Sequence, residues 1–241
     1  VGLGTITAEI DSSYAWWRLA GVEEWTGEIP AIWFDEPALP RATKPRADAV
    51  REEAAPAPVA IPETLDTLTD WFLASDVFAS VGPRTRRLAP SGPVGGTMIV
   101  VDMPELVDVD AGRLFAGPLE AQVDAVLKAV GLTRDEVYLA TMLPGRTPDG
   151  RFPANLLPVA TEALRQHIRL VQPAKIWAMG DVAAQALFAT RVSPKRRELL
   201  DFEDIPAIAT IHPRLLLDDP DRERRKGMWP LMQLLFPKDP A

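Results

Sequence analysis

The chain of 241 residues, 47% hydrophobic and 25% charged, has room for one sizeable core and an appendage. It contains no cysteine, which excludes disulfides, cysteine-ligated zinc and a cysteine-held iron–sulfur cluster; His167 and His212 alone are too few for a multi-histidine metal site, so neither metal nor cofactor is expected. A net charge of −8 repels nucleic acid as a whole, so any DNA association is expected to be weak, local or indirect. No apolar run reaches the roughly 18 residues that span a bilayer and none resembles a signal peptide, making the cytoplasm the expected compartment.

In chain order, Asp11-Ser12-Ser13 is an N-cap cluster opening a short helix through Trp16, Trp17 and Leu19, which Gly21 ends. Val22 and Trp25 follow. From Pro37 to Pro62 there are six prolines in 26 residues, mixed with Ala, Arg and Glu, a composition that cannot bury a core face. The expected organisation is an aromatic docking segment at 1–36, a Pro/Ala-rich linker at 37–62 and a larger domain at 63–237. Tryptophans placed ahead of a long linker suit either folding back onto the domain or docking into a partner, and the tether favours the partner.

The larger part alternates regularly. A helix starting at Pro62-Glu63-Thr64 carries Leu65, Leu68, Trp71 and Phe72 on one stripe. Thr97–Val101 reads as a strand buried on both faces, followed by a helix over about Leu119–Val130. Val137–Ala140, Lys175–Met179 and Ile205–Thr210 read as further strands. They alternate with helices near Leu156–Val171, after Gly180-Asp181, and over about Arg222–Leu235. Four apolar strands separated by helices predict a three-layer α/β/α domain with a central four-stranded parallel sheet, whose function sits at the strand ends.

Asp102, just past the first strand, could hold a water for attack or simply cap its loop, and the bland role is the commoner one. His212, just past Thr210, could donate to a departing anion or be tied to backbone; the residues alone leave these even. His167, flanked by Arg165 and Gln166, is expected at the surface. Arg84, Arg86 and Arg87 are expected on a solvated face, as is the acid-interleaved run from Arg222 to Lys226. Lys195, Arg196 and Arg197 form the cleaner candidate for phosphate contact.

Four segments in this order, MIVVDMPE, LFAGPLEAQVDAVLKAVGLTRDEVYLATML, LRQHIRLVQPAKIWAMGDVAAQALF and IPAIATIHPRLLLDDP, resemble the uracil-DNA glycosylase superfamily, most nearly the branch that carries a [4Fe–4S] cluster. The resemblance implies that fold over about 170 residues. It places Asp102 where the family has a glutamate, within GEAPG, and Val101 and Glu105 where that motif has its two glycines. It places Phe115 where a phenylalanine stacks on the base, Thr141 where an asparagine reads uracil, and His212-Pro213 on the family's HP motif. Gly145 and Ala160 stand where two cluster cysteines would be. A threonine lacks the paired donor and acceptor of an amide, and a side chain at 105 obstructs a flipped base. The resemblance therefore implies the fold with scattered relics of a site and little catalysis.

Gly21-Val22-Glu23-Glu24-Trp25 and the Met98–Pro104 segment also resemble the psi subunit of the bacterial DNA polymerase III clamp-loader assembly. That likeness implies an adaptor. Trp16, Trp17, Leu19, Val22 and Trp25 would bind the clamp loader while the α/β domain binds a chi-like protein. The alternatives are a divergent uracil-DNA glycosylase using Asp102, Phe115 and His212, and a DNA-binding repair accessory using Lys195, Arg196 and Arg197.

Overall fold

The structure, a computed structural model, describes residues 59–193, 195–217 and 223–237. The aromatic docking segment, with Trp16, Trp17, Leu19, Val22 and Trp25, lies outside the described residues, as does the linker up to residue 58.

The first described helix, α1 (Leu65–Ala74), starts where Thr64 accepts a hydrogen bond from the Thr67 N–H. Its far end is closed from a distance. Arg87 donates to the carbonyls of Leu73, Ser75 and Phe78 at 2.8–2.9 Å, placing a cation on carbonyls at the helix end and in the turn after it. Arg87 is thus a structural clamp, whereas Arg84 and Arg86 keep the expected exposed position and pair with Asp76 and Asp110.

The sheet follows: β1 (Thr97–Val101), β2 (Val137–Thr141), β3 (Lys175–Met179), β4 (Leu200–Phe202) and β5 (Ile205–Thr210), in spatial order β2-β1-β3-β5-β4. Four strands are parallel, as expected. The fifth, β4, was not expected; it pairs antiparallel with the edge of β5. Its two-residue turn, Glu203-Asp204, has φ of 50° and 69°, the left-handed pair of a type I′ hairpin, without the Asn-Gly that normally announces one. Arg169 holds Glu203 in that turn with contacts of 2.6 to 3.1 Å.

Helices cover both faces of the sheet. Met98 and Val100 of β1 face one core with Phe72 of α1, Leu164 and Ile168 of α4 (Leu157–Val171) and Ala183 of α5 (Asp181–Phe188). Ile99 and Val101 face the other core with Leu127 of α3 (Glu120–Ala129) and Leu231 of α6 (Glu223–Leu235). Strand geometry alternates side chains between faces, so a central strand must be apolar at every position to satisfy both cores. Each fully buried aliphatic or methionine side chain contributes about 1.5–3 kcal/mol.

His167 corrects a second expectation. It is 8% exposed, lies on the inward stripe of α4 with Ala160, Ala163, Leu164, Ile168 and Val171, and shares a 2.8 Å hydrogen bond with the Tyr138 hydroxyl. The phenol satisfies the ring nitrogen, which allows a polar residue into the core. A short helix, α2 (Leu106–Ala111), was also unexpected; its Asp and β-branched composition has little helix preference of its own.

Candidate functional site

The loops leaving β1, β2 and β5 meet at the carboxyl edge of the sheet. The chain runs from β1 outward to β2 and then back across to β3, so the strand order reverses between β1 and β3. Such a reversal leaves a crevice, the usual ligand position in open α/β sheets. Asp102, Glu105, Arg146 and His212 sit there.

His212 follows β5 and opens a 3-10 turn over Pro213–Leu216. Its Nδ1 accepts a hydrogen bond from the Arg214 N–H at 3.2 Å, so in the neutral ring the proton is on Nε2. Burial, above all, holds its pKa below the ordinary value, opposed by the charges of Asp102 and Glu105. Gly180, beside the ring, has φ +104°, a backbone conformation that favours glycine; a Cβ there would make only ordinary contact with His212, at 3.7 Å. The Nε2 proton then faces Asp102, with Nε2 and Oδ1 3.9 Å apart.

That spacing constrains the chemistry. It is too long for a hydrogen bond. Asp102 is meanwhile occupied at home, where its Oδ1 accepts from the Met103 N–H at 2.8 Å.

Beside this pair, Glu105 is clamped. Its Oε2 lies 3.0 Å from Nη1 of Arg146 and its Oε1 lies 3.6 Å from Nη1 of Arg214. Arg146 also donates to the Pro104 carbonyl at 3.3 Å, and only 11% of its side chain is exposed. Two carboxylates, two guanidinium groups and a neutral imidazole leave the crevice close to electrically balanced.

The other expected site residues lie apart from this cluster. Thr141 ends β2, is buried, and spends its hydroxyl on the Leu143 carbonyl at 2.7 Å. Phe115 is 1% exposed and belongs to the core on the α3 and α6 side of the sheet. Its backbone has φ 55°, unfavourable for a bulky residue, and is held by neighbours on both sides. The buried Asp108 carboxylate accepts from the Ala116 N–H at 2.7 Å, and Arg134 donates to the carbonyls of Leu114 and Phe115. Of the basic cluster, Lys195 and Arg197 are exposed, whereas Arg196 turns inward to the Thr190 hydroxyl at 2.7 Å.

Arg146, Asp108 and Arg134 were not anticipated from sequence. For Arg146 a signal existed: it and Glu105 follow neighbouring strands, so their opposite charges meet once β1 and β2 are paired.

At the two positions that the resemblance gives to cluster cysteines, neither Gly145 nor Ala160 carries a ligating group. A Cβ on Gly145 would collide with the Val81 carbonyl, and Ala160 is fully buried in the core beside α1. With no thiolate in the chain and no room for a side chain at 145, these residues do not fit a cluster.

A family model described as the Uracil DNA glycosylase superfamily matches residues 95–235. A "Type-4 uracil-DNA glycosylase" of Pyrobaculum aerophilum is 30% identical over 93 residues, which are 38% of this chain and 47% of the relative. The chain thus aligns with about half the length of that curated relative. The matched span runs from the start of β1 to the end of α6 and takes in the whole strand-end crevice, and the chain belongs to the uracil DNA glycosylase superfamily.

Proposed function

We propose that this chain is a non-catalytic member of its superfamily, an adaptor in DNA replication or repair whose α/β domain binds a protein rather than a flipped base. The observation that carries the reading is that the strand-end side chains are already engaged within the chain. Glu105 is held by Arg146 and Arg214, the Thr141 hydroxyl is given to a backbone carbonyl, and Asp102 accepts from the Met103 N–H at 2.8 Å. Groups paired in this way are not free to stabilise a transition state. The finer form of the proposal is a psi-like role. Trp16, Trp17, Leu19, Val22 and Trp25 anchor a clamp-loader subunit, and the domain engages a chi-like protein.

Two experiments test it. Uracil-containing single- or double-stranded DNA incubated with the protein is expected to gain no abasic sites. Uracil release that Asp102→Asn abolishes would overturn the reading. In a pull-down from native lysate, the full chain is expected to retain clamp-loader subunits and a form lacking residues 1–36 to lose them. Trp25→Ala should weaken that binding by more than about 1 kcal/mol; equal capture by all three proteins would remove the docking role.

A divergent glycosylase is the second reading, favoured by one specific observation. The hydrogen bond from the Arg214 N–H selects the His212 tautomer that can donate from Nε2 to a leaving group, and the Pyrobaculum relative bears a glycosylase name. A DNA-binding accessory role has less support, because Arg196 is turned away from solvent.

A further inference from the structure

We propose that the crevice at the end of β1 is an oxyanion site that the chain keeps closed with its own carboxylate, Glu105. Three loops converge on that carboxylate: its own after β1, the Arg146 loop after β2 and the Arg214 turn after β5. Arg146, with 11% of its side chain exposed, needs an anion beside it, because an unpaired guanidinium in that position is costly. Glu105 supplies that anion from within the chain, and its own side chain is only 19% exposed. Arg214 differs: 60% of its side chain is exposed and it reaches Glu105 only at 3.6 Å, so it is the member that can turn toward an incoming ligand.

The chemistry of the site without Glu105 defines the ligand. Two guanidinium groups and the Nε2 proton of a neutral His212 would then face a single carboxylate, Asp102, so the local balance becomes positive and rich in donors. Arginine forks match the tetrahedral oxygens of phosphate. A phosphate oxyanion is therefore the class of ligand that competes with Glu105. Opening this site would leave base reading unchanged, because Thr141 keeps its hydroxyl on the Leu143 carbonyl. Uracil release by the wild-type chain would overturn the adaptor reading but not this inference, which phosphate binding decides.

The test uses the full chain and its Glu105→Gln form, which keeps shape and removes charge. Inorganic phosphate and a short oligothymidylate are titrated at low salt while the His212 ring proton is followed by NMR. Glu105→Gln is expected to bind phosphate at least about tenfold more tightly than wild type, the scale of one additional charge-assisted hydrogen bond. Adding Arg214→Gln should abolish the improvement. A parallel improvement for oligothymidylate assigns the oxyanion to a nucleic-acid backbone, and an improvement for phosphate alone assigns it to a small phosphorylated ligand. Equal binding by wild type and Glu105→Gln, or tighter binding that survives loss of Arg214, overturns the proposal. If Glu105→Gln fails to fold, Glu105→Asp, one methylene shorter, must show a partial improvement, and none from it also overturns the proposal.

Discussion

Replacing Asp108 with Ala should destabilise the domain by about 2–5 kcal/mol, the cost of leaving two backbone N–H donors without their carboxylate acceptor. Asp108 is 1% exposed, and its carboxylate accepts from the Glu105 N–H at 2.9 Å and from the Ala116 N–H at 2.7 Å. Burial pushes its pKa up, and the backbone donors oppose that shift. Alanine would leave the Glu105 and Ala116 donors without that acceptor, the latter in a segment where Phe115 and Ala116 are almost fully buried. It would also release Phe115 from a left-handed conformation that a bulky residue does not hold unaided. Asp108→Asn keeps one accepting oxygen and should cost less, about 1–2 kcal/mol. Urea-unfolding midpoints for the three proteins decide the matter; a loss below about 1 kcal/mol for the alanine form would show that solvent or a local shift replaces the carboxylate.

Acid should weaken the fold through His167. Burial holds this imidazole's pKa down to about 4, while in the unfolded chain it titrates near the ordinary 6.5. Between these values the unfolded state binds the proton and the native state does not. The stabilisation is therefore complete above about pH 6.5 and is lost as pH falls toward 4, amounting to about 3 kcal/mol. Tyr138 strengthens the effect's locality: its phenol, pushed up to about 12 by burial, stays neutral throughout and continues to serve as the ring's partner. Carboxylates and His212 also titrate, so the contribution is isolated by comparison with His167→Gln, which retains a hydrogen-bonding side chain without a titration. Unfolding free energies measured at pH 7 and pH 4.5 should fall more steeply for wild type than for the variant. Parallel slopes would mean that the native ring takes up its proton without loss of packing.

The α/β alternation was legible in the residues because the central strands are buried on both faces. Thr97–Val101, Lys175–Met179 and Ile205–Thr210 are apolar runs short enough to be strands, and each lies where expected. The full loss of cysteine was equally plain, and with it the absence of thiolate ligands. His167 could have been placed inside, since it completes the inward stripe of Ala160, Ala163, Leu164, Ile168 and Val171; its polarity pointed the other way until Tyr138 was found against it.

Other features depended on contacts between distant parts of the chain. The β4 hairpin turns on Glu203-Asp204, of which Asp204 tolerates left-handed backbone and Glu203 does not favour it, and Glu203 is held by Arg169 from a helix 34 positions away. Glu105, Arg146 and Arg214 lie after three different strands, so their charges become one clamp only when β2, β1, β3 and β5 stand in order. Local patterning, which needs only each residue's neighbours, thus determined the layers and the family likeness. The state of the crevice was decided by tertiary structure, because a charge is neutralised by whatever stands beside it in space.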